Sequence, residues 1–154
     1  MKKINLFPVV ALLFNSAFSG AFLFIAVVVV PFWSSLSPAD LNTWFIAYFG
    51  RLPSIMVPLN LLTFTAIALS TYYTFRQKRP SKKIWLAVLL TIFLCSLTYP
   101  LILDDANKTI ISSYANHALI QQSFEDWANW HWVRTILSFI SLLLITYLNI
   151  IPKK

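Results

Sequence analysis

Apolar residues fall into four long runs: Leu6 to Val30, Leu52 to Phe75, Ile84 to Leu103 and Val133 to Ile151. None has an Asp, Glu or Lys in its interior. A helix needs about 20 mostly apolar residues to cross the hydrocarbon core, and it satisfies its own backbone while doing so. Each run therefore predicts one membrane-spanning helix. Together they predict an all-α fold, a transmembrane four-helix bundle forming a single integral membrane domain over residues 1–154. Lys2 and Lys3 precede the first run, and Ala17-Phe18-Ser19 has the small residues of a cleavage site. That run nevertheless continues to Val30, far beyond a signal peptide's apolar stretch of ~7–15 residues. It reads as an uncleaved span that ends at Pro31.

The links between the runs carry their own patterns. Ser37-Pro38-Ala39-Asp40 has a capping serine, a proline at the first helical position and an acid in the first turn. Leu41, Trp44, Phe45 and Tyr48 follow at helical spacing, and Gly50 offers a stop. This predicts a short amphipathic helix lying against the membrane interface or over the mouth of the bundle. The link from Asp104 to about Ser123 is longer than a bundle needs. Ser123-Phe124-Glu125-Asp126 resembles a helix start, so the fourth helix is expected to begin near Phe124 and project above the bilayer. Within the spans, Pro58 with Asn60 nearby fits either a cavity wall or helix–helix glue. Ser16 and Gly20, four residues apart, predict a close helix contact.

Composition agrees with this reading: the 154 residues are 58% hydrophobic and 11% charged, with a mean hydropathy of +0.72. A soluble domain carries about 25% charged residues. The net charge of +7 is a topology signal. Lys2, Lys3, Arg76, Lys78, Arg79, Lys82, Lys83, Lys153 and Lys154 occupy the two ends and the middle link, without one acid among them. All five acids (Asp40, Asp104, Asp105, Glu125 and Asp126) lie in the other two links. The positive-inside rule predicts cytoplasmic termini, as for a multi-pass protein of a bacterial inner membrane. The partners expected are the lipid bilayer, a lipophilic aromatic small molecule and a second copy of the chain, with no nucleic acid.

Candidate chemistry is sparse. Cys95 is the single cysteine, so neither a disulfide within the chain nor a CxxC motif exists. The only glycines are Gly20 and Gly50, which leaves no phosphate-binding loop. Asp104, Asp105, His117, Glu125, Asp126 and His131 match no metal-ligand spacing, and no metal is expected. On one helix, His117 and His131 would lie ~21 Å apart at 1.5 Å per residue, which disfavours a haem held by both. Carboxylate-based proton pumping lacks its acids in the spans. What remains is one helical stripe, Trp127, His131 and Arg134 at i, i+4 and i+7, with Trp130 one turn before Arg134. It fits a pocket for a flat aromatic molecule, with histidine as base and arginine facing a developing oxyanion. Spacing alone favours the plainer alternative, an interfacial belt of Trp127, Trp130 and Trp132 with Arg134 reaching for phosphates.

These features resemble the anthrone oxygenase-like family of small four-span membrane proteins, most of them uncharacterised. The resemblance rests on the small-residue first span ending in proline (Ser16, Gly20, Pro31), the short outer helix, and Trp127-x-x-x-His131-x-x-Arg134 opening the last span. In that family the third span ends in a proline closely followed by asparagine. Here Pro100 is followed by Leu101-Ile102-Leu103, and Asn107 comes later. The resemblance implies a cofactor-free oxygenase that converts anthrones to anthraquinones. His131 and Arg134 would be its catalytic residues, and Trp127, Trp130, Trp44 and Asn107 would bind the substrate. Two non-enzymatic readings stand beside it: a membrane scaffold or assembly partner, and a small carrier of lipophilic molecules.

Overall fold

Proline shapes the first span without ending it. The computed structural model describes residues 6–150. In it α1 (Leu6–Phe24), a π-helical turn (Ile25–Val29) and α2 (Val30–Ser34) form one rod of 29 residues. Pro31 has no N–H to offer the carbonyl four residues back. Next to it, the Val30 N–H bonds the Ile25 carbonyl five residues back. The wider turn carries the helix past the expected end to Ser34.

The outer helix forms as the pattern predicts. In α3 (Pro38–Trp44) the Ser37 hydroxyl oxygen accepts from the Asp40 N–H at 3.2 Å and donates to the Asp40 carboxylate at 2.6 Å. A second π turn (Phe45–Phe49) leads to Gly50, whose φ of −56° is that of an ordinary helix. The expected left-handed stop is therefore absent, and α4 (Arg51–Arg76) begins at the next residue and runs through Pro58. After the basic link come α5 (Lys82–Thr98), a third π turn containing Pro100 (Tyr99–Leu103) and α6 (Asp104–Ser112). They make one continuous rod, Lys82–Ser112. The link expected after Leu103 is thus helical for most of its length. α7 (His117–Ile150) begins at the Asn116 cap, whose side-chain oxygen accepts from the Leu119 N–H at 3.1 Å. The expected start near Phe124 is corrected by more than a turn, and Ser123 lies inside the helix.

These are four helices long and apolar enough to cross a membrane, and no strand occurs among the described residues. α7 packs against α1 and α5, α1 against α4, and α4 against α5. Large apolar side chains cover the outside of the bundle, with Leu13, Leu61, Leu101 and Leu143 each 65–67% exposed. A soluble protein rarely shows so much contiguous apolar surface. Ser16 and Gly20 belong to this outer surface, and nothing lies within 4 Å of a Cβ built on Gly20. The close contact expected there does not occur within the chain; α1 instead buries Asn15, Phe18, Ser19 and Phe22.

An aromatic cap closes one end of the bundle. Trp33, fully buried, meets Trp44, Phe45 and Trp127 with ring centroids 4.9–5.3 Å apart. The cap is tied across by Asn42, whose amide donates to the Ile110 and Ile111 carbonyls of α6 at 2.6 and 3.1 Å. Both carbonyls belong to the last turn of a helix, where intrahelical partners run out. Asn42→Ala should lower stability by about 1–3 kcal/mol, since it strands buried carbonyls. Thr43→Ala, at an exposed neighbour, should stay within about 0.5 kcal/mol of wild type. Thermal unfolding in detergent reads both; equal effects would show that the tie contributes nothing.

Candidate functional site

The stripe on α7 turns inward. Trp127, His131 and Arg134 are all buried, at 4%, 1% and 7% exposure, on the wall of a cavity of about 340 Å³ just beneath the aromatic cap. Small-molecule sites span ~300–1,000 Å³ and are mostly apolar with a few polar groups. This cavity fits that description at the small end. Phe22 and Ile25 form its α1 side, Phe49 its roof, Leu52, Pro53, Met56, Val57 and Asn60 its α4 side, and Ser96, Tyr99 and Pro100 its α5 side. Each of the three π turns contributes to the wall. Such turns occur often at functional sites because the extra residue opens the helix locally.

Arg134 is the unusual group. Its guanidinium carbon lies 4.5 Å from the Phe22 ring centre and 5.8 Å from that of Tyr99. Among the described residues its side chain makes no ion pair, and its buried Nε has no partner. The Cys95 thiol, 3.6 Å away, donates to the Arg134 backbone carbonyl. The result is a buried cation with no anion beside it, set against two aromatic faces, worth ~2 kcal/mol when desolvated, and the neutral Cys95 thiol. Its planar fork suits a carboxylate, phenolate or enolate oxygen.

His131 has a defined tautomer. Its Nε2 lies 3.1 Å from the Phe22 carbonyl oxygen, and a carbonyl can only accept, so Nε2 carries the hydrogen. Nδ1 is then an acceptor, and it is buried without a partner. The ring stacks on Trp127 at 5.0 Å and 7°, with the Phe22 ring edge-on at 5.3 Å. A neutral imidazole with its unshared nitrogen unsatisfied is the form that general-base chemistry requires.

The other sequence candidates lie elsewhere. Trp130 and Trp132 are 39% and 41% exposed and face outward, so neither Trp130 nor a belt partner supports Arg134; Phe22 and Tyr99 do. Trp44 is half-buried in the cap against Trp33, outside the cavity lining. Asn107 is buried on α6, its side-chain oxygen without a partner, also outside the lining. His117 is exposed at the start of α7, fourteen residues and ~21 Å along the helix from His131. Asn60 does line the cavity, and its oxygen accepts from the Ser96 hydroxyl at 3.0 Å, so it is wall and helix tie together. Phe22 and Tyr99 carried no sequence signal beyond being aromatic residues in apolar runs.

Magnitudes give Arg134 a testable role. An arginine at the bilayer centre costs ~2.5–3.5 kcal/mol, and ring faces return ~2. Arg134→Met should therefore leave the folded protein no less stable, with a gain of at most about 1.5 kcal/mol. Thermal unfolding in detergent checks this. A clear loss of stability would make Arg134 a structural residue. No model of a known protein family, no curated protein and no solved structure matches this chain, so its function rests on the cavity and the groups that line it.

Proposed function

We propose that this is a multi-pass protein of a bacterial inner membrane, with cytoplasmic termini, that oxygenates acidic fused-ring phenols of the anthrone type without a cofactor. The observation that carries the reading is the buried Arg134, which has no counter-ion and stands one turn from His131 at an apolar cavity. Placing an unpaired cation there is unfavourable unless an anion forms beside it. The distribution of basic residues supports the orientation, which puts the cavity in the outer half of the bilayer.

The chemistry runs from the substrate's own acidity. His131 Nδ1 takes a proton from the CH₂ carbon flanked by two aromatic rings and opposite the ketone. The electron pair moves into the ring system and the ketone oxygen becomes an enolate, whose charge Arg134 meets. The carbanion gives one electron to dioxygen, and the two radicals combine to form a C–O bond. The peroxide takes up the proton and loses water, with the second C–H hydrogen leaving as a proton and the O–O bond breaking. One substrate and one O₂ yield one quinone and one H₂O. Trp127, stacked on His131, and Phe22 flank the ring plane.

Oxygen uptake with anthrone as substrate tests the reading. His131→Ala should lower turnover by about 10²–10⁴-fold, the range of a general base. Arg134→Met should lower it by about 10²–10³-fold, the range of a lost oxyanion partner. Wild-type turnover in both variants would reject the assignment.

A further inference from the structure

We propose that the cavity is filled from the side, by a molecule dissolved in the hydrocarbon of the bilayer, through a mouth between α4 and α5 that the Asn60–Ser96 hydrogen bond spans. This deepens the reading above and rests on it only for the ligand's identity. The burial of the wall is lopsided. Its α1 and α7 members and the roof are sealed, with Phe22 at 1%, Phe49 at 6%, Trp127 at 4% and His131 at 1% exposure. Its α4 and α5 members are the partly open ones, with Val57 53% exposed and Met56, Asn60, Ser96 and Tyr99 half-buried. A residue that both lines a cavity and faces outward marks that cavity's rim.

The packing of α4 explains where the rim lies. Every buried residue of α4 lies at Thr63 or beyond; the twelve positions from 51 to 62 contain none. This half of the helix touches the core only through partly buried side chains, Leu52, Met56 and Leu59, and it carries both Pro53 and Pro58. Two side-chain hydrogen bonds join α4 to α5. Thr71 bonds the Trp85 carbonyl at 3.2 Å near the basic link, and the Ser96 hydroxyl bonds Asn60 at 3.0 Å at the rim. The pair is held at one end by the link and Thr71. At the other, a single neutral hydrogen bond spans the gap, with the Phe64 and Phe93 rings 6.4 Å apart one turn further in.

Depth makes the solvent at this rim lipid. Asn60 lies eight residues from Leu52, the start of the apolar run, or ~12 Å along the helix, within a hydrocarbon core ~30 Å thick. Access from water at the capped end is closed by Trp33, Phe45 and Phe49, all at 6% exposure or less. The natural ligand is then an amphipathic acid that partitions into the membrane. Its rings enter past Val57 and Met56, and its ionisable oxygen reaches Arg134 last.

The test uses the full chain in lipid vesicles and a small apolar diazirine dissolved in the bilayer. After photolysis, mass spectrometry locates carbene adducts. Phe22 and Trp127 report the cavity, Leu143 the lipid face and Ile67 the sealed core. Asn60→Cys with Ser96→Cys, in a Cys95→Ala background, allows the mouth to be bridged. With the bridge oxidised, adducts at Phe22 and Trp127 should fall to the level of Ile67, while Leu143 is unchanged; reduction should restore them. Val57→Trp, which narrows the mouth without any bridge, should lower the same adducts. Adducts at Phe22 and Trp127 that persist with the bridge closed and in Val57→Trp would overturn the route. The chemistry is read separately: if adducts follow the bridge but anthrone consumes no oxygen in wild type, the route stands and the oxygenase reading fails.

Discussion

A cation placed inside a lipid-spanning bundle must be paired, hydrated or kept for a ligand, and this constraint organises the capped half of the molecule. Arg134 has its aromatic neighbours and the neutral Cys95 thiol, and no acid among the described side chains. Ring quadrupoles attract the charge but leave the guanidinium hydrogens without acceptors. The site is thus built with its positive end already oriented, in a medium of low dielectric where a single opposite charge interacts far more strongly than in water. Preorganisation of that kind is where most electrostatic catalysis comes from, because no reorientation is needed as charge develops. The folded state bears the cost in advance.

Space for a ligand comes from the backbone. Three helices each loosen into a π turn at the same level, over Ile25–Val29, Phe45–Phe49 and Tyr99–Leu103. Two of these are next to or contain a proline, Pro31 and Pro100, whose missing N–H breaks the four-residue ladder. In both, the bond that closes the turn runs five residues back, from Val30 to Ile25 and from Asp104 to Tyr99. A regular helix would have kept its side chains in step and filled the interior. The widened turns put Ile25, Phe49 and Tyr99 around an opening instead. The same adjustment keeps the rods continuous, so the cavity costs the bundle no broken span.

Hydropathy was enough to read the four spans, because length and apolarity decide them, and the outer helix was legible from its Ser37 cap and helical spacing. The boundaries were less legible. Pro31 and Leu103 look like ends on sequence rules, yet a π turn carries the helix past each, and that depends on packing several residues away. Asn116 is a plain capping residue, but Ser123 with its following acids offered a competing start. Of the site, the stripe Trp127, His131 and Arg134 was readable from spacing. Whether it faced lipid headgroups or the interior was not, since a tryptophan and an arginine suit either. Trp130 was assigned to Arg134 from its i, i+4 spacing; the partners are Phe22 and Tyr99, from other helices. Long-range contacts of this kind leave no periodic trace.

The buried face of α7 explains why periodicity falls silent here. Between the buried Trp127 and Ile145 it reads His131, Arg134, Thr135, Ser138 and Ser141, while the outward face carries Ile136, Ile140 and Leu143. Apolar patterning of a soluble helix points to its core; this helix points its apolar side at lipid. Between lipid-exposed helices there is no hydrophobic gain from association, so small and polar contacts hold them together. Asn15 bonds Ser141 across α1 and α7 at 3.2 Å. Thr135 and Ser138 return their hydroxyls to their own helix, leaving a slim surface for close approach. Arg134 and His131 sit at the upper end of this polar seam. The residues that assemble the bundle and those proposed to act on a ligand therefore share one face of one helix, and the register that brings Asn15 to Ser141 also brings the Phe22 carbonyl to His131.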